Sequence, residues 1–155
     1  MKILIFITIT AFVIFNSSNC AKENSLEIVE GMWAIDTVLF NQQDMSQCLN
    51  LNIINLEKNS KCDFPMIWED CKDIFSYDRT GSWLINQKEK EPLRLKINSN
   101  NFFSGNHKLV FFKDETKHVL KMRLESDSLY VICTKGLLNF NENKESIEKL
   151  IKLSN

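Results

Sequence analysis

Leu93-Arg94-Leu95-Lys96-Ile97-Asn98 and Leu120-Lys121-Met122-Arg123-Leu124-Glu125 alternate apolar and polar residues without a fault. Successive side chains of a strand point to opposite faces, so each hexamer predicts a β-strand with one dry and one wet side. Both lie within Gly81 to Lys135, where short amphipathic segments are separated by polar turns such as Ser99-Asn100-Asn101 and Ser126-Asp127-Ser128. A sheet with one dry face must be covered or must close on itself. The stretch predicts an all-β fold, with closure into a small antiparallel up-and-down β-barrel as the leading expectation and a meander or sandwich as the alternatives.

Working outward, Glu30 to Phe40 predicts the first strand, with Trp33, Ile35, Thr37 and Leu39 on one face. Met45 to Asn50 is expected to hold a short helical turn, and Leu51 to Glu57 to form the second strand. Cys62 to Trp68 predicts a third, limited by Pro65, which cannot donate to a ladder. Glu69 to Thr80 is charge-rich and reads as an outer loop, and Ser82 to Gln87 continues the meander. Phe102 to Lys113 predicts a longer strand bent at Gly105, with Phe102-Phe103 and Phe111-Phe112 each placing one ring on either face. His118–Glu125 and Leu129–Lys135 complete the sheet. At the tail, Ile147, Leu150 and Ile151 fall at i, i+3 and i+4. That spacing predicts an amphipathic C-terminal α-helix over about 141–153, capped by Asn141 or Asn143. It is expected to lie against the outside of the sheet and cover rings left outside the lumen.

At 155 residues the chain fits one domain, placed at 29–155. Its net charge of −1 and scattered cations exclude a nucleic-acid footprint. Residues 1–20 read as an export signal: Lys2, an apolar run from Ile3 to Phe15, then Asn16-Ser17-Ser18-Asn19-Cys20. The apolar run falls short of the about 20 residues of a membrane-spanning helix. A lipoprotein signal peptidase cutting before Cys20 would leave that thiol for lipidation, and an ordinary peptidase would cut after it. The polar tether 21–28 favours the first, because an anchored domain needs a spacer. The expected location is the cell envelope, in the outer membrane or periplasm, and otherwise the secreted fraction. Cys48, Cys62, Cys71 and Cys133 remain as disulfide candidates, with three possible pairings. Cys62 with Cys133 and Cys48 with Cys71 is the preferred one. Buried free thiols are the alternative. No metal is expected, since there is no Cys-x-x-Cys and His107 and His118 stand far apart.

Several segments together resemble a family. Gly31-Met32-Trp33 is similar to the Gly-x-Trp of lipocalins. Cys62-Asp63-Phe64-Pro65, Gly81-Ser82-Trp83, Phe103-Ser104-Gly105-Asn106-His107 and Tyr130-Val131-Ile132-Cys133-Thr134-Lys135-Gly136 resemble the lipocalin-like lipoproteins of Bacteroidetes. The likeness covers about residues 29–155. It implies a ligand-binding barrel in which Trp33 plugs the closed end. Where lipocalins place an Arg over that ring, this chain offers Lys135, which implies a weaker cation–π contact.

An eight-stranded barrel either fills with its own side chains or holds one small ligand. The leading expectation is a small hydrophobic molecule or lipid in the lumen, with Trp33, Trp83, Leu95, Phe111, Met122, Leu124 and Val131 as lining. The alternative for each is ordinary core. A second expectation is a filled barrel that binds a protein partner through residues 63–80, using Phe64, Ile67, Trp68, Phe75 and Tyr77. No enzyme and no cofactor is expected: Gly-x-Ser-x-Gly, a phosphate-cradling Gly loop and His-Glu-x-x-His are all missing from the sequence.

Overall fold

In the computed structural model, which describes residues 27–74, 77–87, 91–114, 116–136 and 143–155, the alternating segments form a closed ring. Its eight strands are β1 (Gly31–Phe40), β2 (Ile53–Leu56), β3 (Lys61–Asp63), β4 (Thr80–Asn86), β5 (Arg94–Ser99), β6 (Gly105–Asp114), β7 (Val119–Glu125) and β8 (Leu129–Gly136). Each pairs antiparallel with the next in chain order, and β8 returns to β1. One helix follows, α1 (Lys144–Ser154). We call the end holding Gly31 the foot and the end holding Phe40 the mouth.

The hexamers behave as their alternation predicts. Leu93, Leu95, Ile97, Leu120, Met122 and Leu124 are at most 2% exposed and belong to one core cluster. Complete burial of an aliphatic side chain contributes roughly 1.5–3 kcal/mol, so these positions, summed over eight strands, drive closure.

Strand β1 departs from the expected face. Its pairing with β8 shifts between Ile35 and Thr37, leaving Asp36 as an extra residue. A bulge moves the alternation by one. Beyond it Val38 is buried while Thr37 and Leu39 are only partly so. Outside the barrel, Asp36 Oδ2 accepts from the Thr134 hydroxyl at 2.5 Å and from Lys121 Nζ at 3.1 Å, bridging the seam.

The second strand starts at Ile53 because Leu51 turns the chain with φ 63°. The third breaks into β3 and a separate pair of residues, Met66–Ile67, with Pro65 between them. Met66–Ile67 pairs with Leu49–Asn50, after a 3-10 turn at Ser46–Cys48, and forms a two-stranded ribbon at the mouth. Glu69–Ile74 is a 3-10 helix where a loop was expected.

Strand β6 begins at Gly105, so Phe102 and Phe103 lie in the preceding turn and both are buried. Gly105 has φ +147°, and a Cβ there would stand 3.0 Å from the His107 ring, so glycine admits the chain into the strand.

Phe112, on β6, is 36% exposed. The β5–β6 register ends at Arg94 opposite Lys108. Farther along β6, the Phe111 N–H donates to Ser154 Oγ at 2.9 Å. Ile147 and Leu150 join the barrel's core. The helix thus satisfies a stretch of strand edge that β5 leaves uncovered.

Candidate functional site

The foot is closed by Trp33. Its indole N–H donates to Val29 O at 2.8 Å, and the side chain has no accessible surface. Lys135 Nζ lies 5.4 Å from the ring centroid and donates to the carbonyls of Ile28 and Glu30. Burial pushes the Lys135 ammonium below its ordinary pKa, against an opposing pull from Glu30. The same cation therefore binds the N-terminal turn to the last strand and covers the tryptophan face.

The mouth is closed by rings. Phe103 stacks on Phe64 at 5.1 Å, and Phe102 packs on Phe103 at 4.4 Å, on Phe40 at 5.6 Å and on Tyr77 at 5.8 Å. Asn101 clasps this stopper. Its Oδ1 accepts from the Phe103 N–H and from the Ser99 hydroxyl, both at 2.9 Å, and its Nδ2 donates to Asp78 O at 2.6 Å. The Tyr77 hydroxyl donates to Pro65 O at 2.6 Å.

Between foot and mouth the lumen is occupied. Trp33, Leu95, Phe111, Met122, Leu124 and Val131 are all 0% exposed, and Trp83 is 8% exposed. A side chain with no accessible surface has no water-wide space beside it, so these residues pack as ordinary core. The Trp33 and Phe111 rings meet across the barrel at 6.1 Å, and the Trp83 indole donates to Glu57 O at 3.0 Å. Among the described residues, six of the seven expected lining side chains have no accessible surface, and Trp83 keeps a little.

His107 points into the same interior, 1% exposed, with Nε2 2.9 Å from Phe103 O and Nδ1 without a partner. Burial holds its pKa below the ordinary value, opposed by the bond to Phe103. The unfolded chain therefore binds a proton near pH 6.5 that the folded chain refuses, and stability falls as pH drops through about 6.5. The loss continues down to the folded pKa, at up to about 1.4 kcal/mol per pH unit. Urea titrations between pH 7.5 and 5 are expected to show this slope in the wild type and a reduced slope in His107→Gln.

The cysteines divide. Cys48 and Cys71 form a disulfide, as preferred. Cys62 and Cys133 do not pair: both are buried free thiols facing the core from β3 and β8. Burial pushes the Cys62 thiol up to about 12 and that of Cys133 higher still, which suppresses thiolate chemistry at both.

Of the expected contact residues in 63–80, Phe64 and Ile67 are core at 1% and 7% exposure, and Tyr77 is half-buried in the stopper. Phe75 lies outside the described residues. Trp68 is different: it is 52% exposed, and Met66 on the same ribbon face is 40% exposed. The ribbon's other face, Leu49 and Ile67, seals against the barrel together with Met45. Trp68 N–H donates to Cys48 O and Cys71 N–H to Trp68 O, each at 3.0 Å, so the disulfide and two backbone bonds hold the indole's base. Leu51 and Ile53, which follow the ribbon's first strand in the chain, are also exposed, at 66% and 40%. Met66, Ile67 and Trp68 are all apolar, so the sequence does not distinguish the exposed pair from the buried residue between them.

The disulfide joins two residues 23 positions apart in the chain. Constraining the loop between them in the unfolded chain is worth about 3 kcal/mol. The Cys48→Ala/Cys71→Ala variant is expected to lose about that much in equilibrium urea denaturation and to loosen the ribbon before the barrel.

On the outer wall, a polar cleft of about 430 Å³ is lined by Arg94, Asn106, Lys108, Glu125, Ser126 and Asp127. Its cations and carboxylates are mixed, which gives no convergent chemistry.

The fold and these features define a class: a closed eight-stranded antiparallel barrel with one C-terminal helix, its lumen lining packed as core. Comparison with known proteins finds no matching family model, curated protein or solved structure.

Proposed function

We propose that this chain is an exported, lipocalin-like binding module of the cell envelope, anchored through Cys20, whose barrel is a filled scaffold and whose working surface is the mouth ribbon. One observation carries this reading. The expected lining is packed shut, while Trp68, Met66 and Leu51 stand exposed on a disulfide-braced element. Aromatic side chains held on a rigid base are the usual anchors of protein contacts. Trp33 under Lys135 at the foot of β1 supports the lipocalin likeness. The export reading rests on the apolar run and Cys20 of the N-terminal segment, and no helix among the described residues is long and apolar enough to cross a membrane.

Placing a photo-crosslinking amino acid at position 68 in cells that export the protein tests the surface. A discrete protein adduct from position 68, with none from exposed Leu84 on β4, supports a partner at the ribbon. Native mass spectrometry of the extracted protein tests the competing reading, a small apolar ligand in the lumen. A stoichiometric lipid mass that is released on denaturation, unlike a covalent anchor, and that survives in Trp68→Ala overturns the proposal in favour of the lumen. Anchoring is tested separately: a palmitate analogue is expected to label the wild type and leave Cys20→Ser unlabelled. An unlabelled wild type removes the anchor.

A further inference from the structure

The described connections at the mouth, residues 41–52, 64–71, 77–79, 100–104 and 126–128, contain five acidic residues and one basic one. The acids are Asp44, Glu69, Asp70, Asp78 and Asp127, and the base is Arg79. The chain as a whole carries only −1, so the mouth is its acidic pole. Asp44, Glu69, Asp70 and Asp78 are exposed, and Glu69-Asp70 directly follows Trp68. The exposed apolar residues thus lie at the end of the barrel where acidic residues outnumber basic ones, opposite the end where Gly31 begins β1.

We propose that the ribbon's partner is a protein segment with apolar side chains flanked by lysine or arginine. This rests on the reading of the ribbon as the working surface. Complementary charge at a rim steers the encounter and selects the partner, while the desolvated aromatic supplies the anchor. Two other occupants fit less well. An anionic membrane surface meets like charge at this pole. A second copy docking ribbon to ribbon brings two acidic rims together.

The test uses the full mature chain with its disulfide intact and three synthetic twelve-residue peptides. They share the same Leu, Val and Trp residues and differ only in flanks of Lys, Ser or Glu. Titrations followed by amide NMR are expected to show the Lys-flanked peptide binding tightest, with shifts confined to residues 48–51 and 66–71. Trp68→Ala should weaken it at least tenfold, in the manner of an interface hot spot. Raising the salt from 50 to 300 mM should weaken it severalfold, since exposed charges are screened over about 10 Å or less. Asp70→Lys should reduce the preference for the Lys-flanked over the Glu-flanked peptide while the melting temperature holds. Equal binding of all three peptides at the ribbon overturns the charge inference and leaves the surface standing. Binding indifferent to Trp68→Ala, or absent up to millimolar peptide, overturns both. Binding to phosphatidylglycerol vesicles, or dimerisation abolished by Trp68→Ala, assigns the face to lipid or to a second copy and overturns the inference.

Discussion

Trp33→Ala is expected to destabilise the protein by about 3–5 kcal/mol, the range for deleting a buried aromatic ring. The ring has no accessible surface, meets Phe111 at 6.1 Å, and donates its N–H to Val29 O. Its removal also strips Lys135 of the face it covers, leaving a part-buried ammonium with only the Ile28 and Glu30 carbonyls. For a domain of this size, the loss corresponds to a fall in melting temperature of about 6–20 °C. Thermal denaturation by circular dichroism measures it. A shift of less than about 2 °C would mean that the foot of the barrel is held by something other than this ring.

Phe103→Ala is expected to have an effect of similar size, about 3–5 kcal/mol, with a different second consequence. Phe103 is the centre of the mouth stopper, fully buried between Phe64 and Phe102. Its backbone N–H and carbonyl are held by Asn101 and His107, so the turn retains its anchors when the ring is gone. The vacated space is bounded by apolar side chains, and apolar cavities of this kind stay dry and accept small apolar guests. Denaturant titration measures the stability loss. Binding of benzene by the variant and not by the wild type would show that the ring, and not the loop around it, fills the mouth. A stability change below about 1 kcal/mol would contradict the packing described for the stopper.

The barrel was legible because its evidence is local. Alternation in Leu93–Asn98 and Leu120–Glu125 states which side of each strand is dry, and turn residues state where strands end. The features that the sequence concealed depend on contacts far along the chain. Asp36 becomes a bulge because it bonds to Thr134 and Lys121 across the seam. Phe102 leaves the strand because Tyr77 and Phe40 offer it cover, and Asn101 pins its turn to Asp78. Periodicity treated Phe102 and Phe103 as opposite faces of one strand, whereas two rings folded into a turn can both point inward. The free thiols of Cys62 and Cys133 follow the same logic. Counting suggested a pair, but each sits on its own strand among apolar neighbours, where an unpaired cysteine packs as a small hydrophobe.

The ribbon explains why the functional reading moves from the inside of the barrel to its rim. Residues 63–80 were rightly marked as rich in aromatics among charges, yet four of the five named there serve different ends. Phe64 and Ile67 are core, Tyr77 belongs to the stopper, and Trp68 reaches solvent. Burial, which sequence spacing cannot supply for a non-repeating loop, separates them.

Whether the lumen is filled can be read directly from crystals pressurised with xenon, which enters dry apolar cavities. Wild-type crystals are expected to show no xenon within the barrel, and Phe103→Ala crystals to show a site beside Phe64. Xenon bound among Phe111, Met122 and Leu124 in the wild type would contradict a packed lumen and return the ligand to the inside of the barrel.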